Sequence, residues 1–303
     1  MARIFYDKAP VEIQVGTYRE TLIATDCSIN FNNSQSPIYS VGKKGPIGQF
    51  PSAARAGDMS FNFLTTITGN FDSIVGVSTS TQGNIINYLA DAIKNSTDSE
   101  ASGVIVKCAG VSGVGFLNSY SFNTTANSIS SSSAAFTLFG SGTQLPVSGR
   151  LSGVSAGVGI GGTTSSTVTT GIAHGRFTTM PAALNTKLYD DTTAENPATA
   201  TIYSADYSIS FNHNPLYKIG QEFPTTTFYT NASESLNVSE DLFNSGLKFD
   251  ESAASYSLEI KGLGGVNSEG MFVRIKDAKQ ISTSASVGLD DIIRTQKSLT
   301  AVY

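Results

Sequence analysis

The chain has 303 residues, 40% of them hydrophobic and only 14% charged, with a net charge of −5 and a pI near 5.1. That balance argues against a protein that grips nucleic acid by neutralising phosphates, which needs clustered Lys and Arg. The small basic groups present, Lys43-Lys44 and Arg274, Lys276 and Lys279, read as solvated faces.

The amino-terminal MARIFYDKAP has no apolar leader core, and no run of eighteen apolar residues occurs anywhere, so a soluble chain made in a reducing compartment is expected. Ile13, Val15, Leu22, Ile29 and Phe31 keep the alternation of half-buried strands, and Met59, Phe61 and Phe63 repeat it around Ser60 and Asn62. In PIYSVG the proline is expected to end the ladder, Gly42 to permit a positive φ, and Tyr39 to anchor the turn to the core. Residues 83–95 put Ile85, Ile86, Leu89, Ala92 and Ile93 on one helical stripe, predicting a short helix that covers one sheet face and leaves the other face or the edges for partners.

Residues 140–176 form a Gly/Ser/Thr-rich interlude, either a flexible linker or an arm ordered on assembly. Beyond it, DYSISFNHNPLYKIG at 206–220 repeats DCSINFNNSQSPIYSVG at 26–42. With a two-residue gap, Asp26, Ser28, Ile29, Phe31, Asn32, Pro37, Tyr39 and Gly42 fall on Asp206, Ser208, Ile209, Phe211, Asn212, Pro215, Tyr217 and Gly220. Chance gives roughly one identity in fifteen, so the chain reads as an internal duplication. The flanks agree: FPSAA at 50–54 answers FPTTT at 223–227, VIVKCAGVSGVG at 104–115 answers LEIKGLGGV at 258–266, and Leu117–Phe139 takes the place of Ile281–Tyr303. The expected organisation is one unit over 1–139, the interlude, and a second unit over 177–303, since about 300 residues is where one core splits in two. The fold class is mainly β, with two tandem antiparallel β-sandwich domains and one flanking helix. Its repeat-defining turn residues are Pro37, Tyr39, Gly42, Pro215, Tyr217 and Gly220.

Chemistry is sparse. Gly157, Gly159 and Gly162 spell GxGxxG, but the following TTSSTVTTG does not start a helix, so no dinucleotide site is expected. The two histidines, His174 and His213, lie in separate loops, and His213 replaces Asn33 of the first copy at what reads as a tolerant position. Asp190-Asp191 and Asp290-Asp291 sit in turn contexts where Asp caps or solvates. Cys27 and Cys108 lack a CxxC or a nearby His and read as reduced thiols. Asn-x-Ser/Thr triplets are compositional in so Ser/Thr-rich a chain. Neither an enzyme, a cofactor nor a metal site is expected.

At the duplicated Pro-(Ile/Leu)-Tyr-x-(Val/Ile)-Gly turns, and at the strand pairs 116–140 and 281–303, the chain resembles the tail tube proteins of tailed bacteriophages. The resemblance implies sandwiches whose inner sheets join those of neighbours into a barrel around a lumen for DNA and the tape-measure protein. It also implies sheath or baseplate partners, no membrane, and residence in the virion tail after assembly in the host cytoplasm. That group carries one domain per chain and six chains per ring. Two copies here make a trimer with pseudo-sixfold symmetry the expectation over a plain hexamer. The low charge fits a surface covered by neighbours, or equally an ordinary β-rich one. A surface, fibre or decoration protein acting as a binding module is the competing expectation.

Overall fold

The computed structural model describes residues 11–15, 18–22, 24–32, 35–51, 56–65, 84–96, 103–108, 110–125, 130–139, 148–149, 186–190, 202–219, 223–241, 254–261, 270–286 and 294–303. The strands are β1 (Val11–Val15), β2 (Tyr18–Leu22), β3 (Ala24–Asn32), β4 (Gln35–Tyr39), β5 (Pro46–Pro51), β6 (Ala56–Leu64), β7 (Val104–Cys108), β8 (Val111–Thr125), β9 (Ser131–Phe139) and β10 (Ser148–Gly149) in the first half. The second half carries β11 (Thr186–Asp190), β12 (Ile202–Leu216), β13 (Thr226–Asp241), β14 (Ala254–Lys261), β15 (Gly270–Ser286) and β16 (Arg294–Val302). One helix, α1 (Ile85–Asn95), joins β6 to β7. The fold is thus mainly β, antiparallel throughout and sandwich-like.

The same strand order occurs in each half. In the first half β3 pairs β6, β6 pairs β9 and β9 pairs β8. In the second half β12 pairs β13, β13 pairs β16 and β16 pairs β15, the same path. Each path ends in a long strand whose first part turns away to other partners. The start of β8 pairs β7, which pairs β1, as the start of β15 pairs β14, which pairs β11. Gly115 straddles the change of partner, facing Val104 of β7 and Leu138 of β9; a Cβ there would meet Leu138, Phe136 and Val106 at 3.0–3.1 Å.

β8 also pairs β12, with Ser121 opposite Ser208, so one sheet runs through both halves. Its backbone order is β3-β6-β9-β8-β12-β13-β16-β15. The buried cluster is equally continuous, from Met59, Phe61, Phe63 and Phe136 to Ile209, Leu236 and Leu299. Alternation explains the layer: the side chains between these point to the opposite face and are mostly Ser, Asn, Thr and Asp.

The helix forms where its stripe predicts. Asn84 caps it, its Oδ1 accepting from the Ile86 and Asn87 amides at 3.1 and 2.8 Å, and Glu20 of β2 accepts from the Ile85 amide at 2.7 Å. Ile85, Ile86, Leu89 and Ala92 are buried. The helix crosses the junction of the two halves: Asn84 donates to Tyr120 of β8 at 3.3 Å, and Lys94 at the far end reaches Glu234 of β13.

Three expectations are corrected. Proline does not end the ladder, since Pro37 lies within β4 opposite Gln49 and Pro215 within β12 opposite Thr227. β4–β5 is a two-stranded sheet whose strands are both edges, so a residue without a donor can face the open side. Tyr39 and Tyr217 do not anchor their turns, being 68% and 41% exposed: Tyr39 ends a strand of the separate two-stranded sheet, and Tyr217 lies just past the end of β12. The equivalence of Leu117–Phe139 with Ile281–Tyr303 is out by one residue. The bulge after Leu117 matches the bulge after Gln280, so Asn118 answers Ile281 and Ser121 answers Ser284. Equal segment lengths concealed the slip, and a one-residue slip exchanges the two faces of a strand.

Candidate assembly surface

The repeated order is open at both ends. Among the described residues β3 pairs only β6, and Lys279–Ser286 of β15 pair only β16, leaving two free edges of one sheet. The first strand of one repeat already accepts the last core strand of the other, in the β8–β12 seam.

The polar face runs between those edges. Asp26, Asn62, Ser133, Ser121, Ser208, Ser235, Thr300 and Lys279 are directly opposite one another in turn, a single polar row across the sheet. Cross-strand hydroxyl pairs tie it together: Ser28 with Ser60 at 2.8 Å, Ser121 with Ser133 at 2.7 Å and Ser208 with Ser235 at 2.8 Å. Asn62 donates to Asp26 at 2.7 Å, and Asn123 donates to Asp206 across the seam. A shallow groove lies there, lined by Asn62, Ser121, Asn123, Asp206, Ser208 and Asn237 among others. Its lining holds a carboxylate and no Lys or Arg.

His213, read as tolerant from the sequence, sits where the seam opens. β8 and β12 pair only as far as Ser119 and Ser210, and beyond that last pair both polar groups of the Leu117 backbone are met by side chains of the second half. The His213 Nε2 lies 2.9 Å from the Leu117 carbonyl, and the Tyr229 hydroxyl accepts from the Leu117 amide at 3.2 Å. Since a carbonyl only accepts, Nε2 carries the proton. Burial, outweighing that hydrogen bond, holds the imidazole below its ordinary pKa and lifts Tyr229 well above its own. Pattern alone cannot show this, because the groups satisfied are main-chain.

Beneath the seam Glu234 gathers three partners: Lys94 at 3.1 Å, the Tyr207 hydroxyl at 2.5 Å and the Tyr303 hydroxyl at 2.8 Å. The Glu234 charge also raises the Tyr207 pKa, after burial. Glu12 is likewise flanked, by Arg19 at 2.8 Å and Lys107 at 3.3 Å. These ion pairs tie β1 to β2 and β7, and the helix to β13.

The repeat-defining turns are exposed. Gly42 has φ +88 and is the second central residue of a turn closed from the Lys43 amide to the Ser40 carbonyl at 3.2 Å. Val41 is fully exposed, as is its counterpart Ile219. Pro37 and Pro215 lie in strands, and Gly220 lies outside the described residues. Also outside them are His174, Asp191, Asp290-Asp291 and the Gly157–Gly162 motif, while Asp190 ends β11. Cys27 and Cys108 are free but adjacent, their thiols hydrogen-bonded, which with burial pushes the Cys27 pKa far up. Among the described residues no cluster of three or more His, Cys, Asp or Glu is placed to hold a metal, and no helix is long and apolar enough to cross a membrane. No protein-family model matches the chain, and no curated protein matches it.

Proposed function

We propose that the protein is a structural subunit of a bacteriophage tail, assembling into stacked rings whose joined inner sheets enclose a conduit for DNA. The two halves, 1–139 and 177–303, act in this reading as two fused tube units, so that three chains make a pseudo-sixfold ring. The observation that carries it is the head-to-tail seam: the same four-strand path occurs twice, and the end of the first meets the start of the second. A contact that joins the end of one unit to the start of the next is heterologous, and repeated it closes a ring or continues as a filament. Two free edges on a monomer are an aggregation hazard that closure removes.

The polar face supports the conduit. Ser, Asn and Thr flanked by Asp26, Asp58 and Asp206 offer no cluster of cations to phosphates, so a duplex is repelled weakly and slides. Tape-measure, sheath or baseplate proteins are the further partners, and no catalytic or cofactor role belongs to this reading.

Negative-stain imaging and native mass measurement of the purified protein test it. Rings or tubes of uniform bore, with masses in multiples of three chains, are expected. A chain that stays monomeric at high concentration while binding glycans or cells overturns the reading in favour of a surface binding module. Tight duplex binding with a steep salt dependence overturns the conduit.

A further inference from the structure

We propose that β15 of one chain pairs with β3 of a second copy, in the register that β8 and β12 hold within a single chain. This rests on the ring reading above and names the strands and the residues that meet.

In the intrachain seam Asn123, Ser121 and Ser119 lie opposite Asp206, Ser208 and Ser210. The duplication carries Asp206, Ser208 and Ser210 onto Asp26, Ser28 and Asn30 of β3, with their partner strand following suit: Asp206 faces Asn237 as Asp26 faces Asn62, and Ser208 faces Ser235 as Ser28 faces Ser60. The matched bulges carry Asn123, Ser121 and Ser119 onto Ser286, Ser284 and Ser282 of β15. The interchain register is therefore Ser286 opposite Asp26, Ser284 opposite Ser28 and Ser282 opposite Asn30.

A second copy is the occupant for three reasons. An antiparallel partner with this spacing already exists in the chain, as β8 beside β12. The edges are oppositely charged on the polar face, Asp26 on β3 with Asp58 on the adjoining strand, and Lys279 on β15. The faces also agree, since Ser28 and Ser284 are both exposed on the polar side while Ile29 and Thr283 turn inward. The seams differ in strength. Phe122 stacks on Tyr207 at 5.2 Å inside the chain, whereas Cys27 and Ala285 take those places between chains. The smaller pair buries less apolar area, so the interchain seam is the weaker one and forms after each chain has folded.

The test introduces Ser28→Cys together with Ser284→Cys, oxidises assembled particles and separates the chains by denaturing, non-reducing electrophoresis. Directly opposite strand residues fall within disulfide reach. Dimers and trimers of the 31.8 kDa chain are expected, stopping at three and collapsing on reduction, while either substitution alone gives no bridge through Cys27 or Cys108. Asn30→Cys with Ser282→Cys reports the same register should the first pair fail to assemble. No bridge in particles that imaging shows as rings overturns the pairing and leaves the ring standing. Bridging of Ser28→Cys by Ser282→Cys instead overturns the register. A ladder beyond three overturns closure by three chains, and an unmodified chain that remains monomeric overturns both the pairing and the ring.

Discussion

Lys94, at the carboxyl end of the helix, is bonded at 3.1 Å to Glu234 in the sheet of the other repeat, and both side chains are almost wholly buried. The helix belongs to the first repeat by sequence and is fastened to the second by charge. Removing the ammonium leaves a buried carboxylate held by two tyrosine hydroxyls alone, which costs about 3 kcal/mol or more. Lys94→Met is expected to lower the urea midpoint accordingly. Lys94→Met with Glu234→Leu is expected to lose less than the sum of the single changes, by at least ~1 kcal/mol in a double-mutant cycle. Additive losses would show that the pair contributes nothing of its own.

His213 gives the seam a pH dependence. Its pKa is lowered in the folded chain by burial, so between that value and about 6.5, the ordinary histidine pKa, the unfolded chain binds more protons. Stability is therefore fully present above about 6.5 and falls as the pH drops through the folded pKa, levelling off below it. The groups around the ring are Phe116, Tyr229 and the Leu117 carbonyl, and none of them carries charge in this range. Urea titrations between pH 7.5 and 4.5 are expected to show this slope in the parent and a flatter one in His213→Asn. The same slope in both would assign the pH dependence elsewhere.

Val41 and Ile219 are fully exposed at equivalent tips of the two repeats, and Ile38, Tyr39, Ile47, Leu216 and Tyr217 widen the apolar surface behind them. β3 and β12 are separated in the sheet by an odd number of antiparallel strands and so run the same way, which puts both tips at one end. Val41→Asp with Ile219→Asp is expected to leave thermal stability within about 0.5 kcal/mol, as exposed substitutions do. It is expected to reduce end-to-end association by light scattering. Unchanged association would leave these side chains as ordinary exposed residues.

Asp277 is in the left-handed region, with φ 51, one residue before β15 exchanges β14 for β16. An L-residue there is strained by roughly 1 kcal/mol. Asp277→Gly is expected to be neutral or stabilising by up to that amount, and Asp277→Val destabilising by about 1–2 kcal/mol. A melting-temperature series reads both. Loss of stability in the glycine variant would mean that the carboxylate makes a contact worth more than the strain.

The helix at Ile85–Asn95 and the buried stripe of Met59, Phe61 and Phe63 were legible from local pattern, because periodicity needs no knowledge of the partner. The seam was not. Ser121 and Ser208 are far apart in sequence, and nothing in either strand states which edge it will meet. Tyr39 and Tyr217 misled for the same reason: an aromatic beside a turn is compatible with packing inward or standing clear, and only the location of the sheet distinguishes them. The role of His213 was hidden because it meets a backbone carbonyl lying just beyond the last pair of β8 with β12, a need that no side-chain pattern records.

By itself the sequence determined that the chain is mainly β with a hydroxyl-rich alternation and one helix, since turn chemistry and the periods of strand and helix are local properties. Only the tertiary structure decided that the two halves share one sheet and one core, and that among the described residues β3 and the end of β15 stand at the two ends of its strand order. Strand pairing is a choice among distant edges, settled by bulges, buried ions such as Lys94 and Glu234, and the helix lying across the seam. None of these is visible until the chain is folded back on itself.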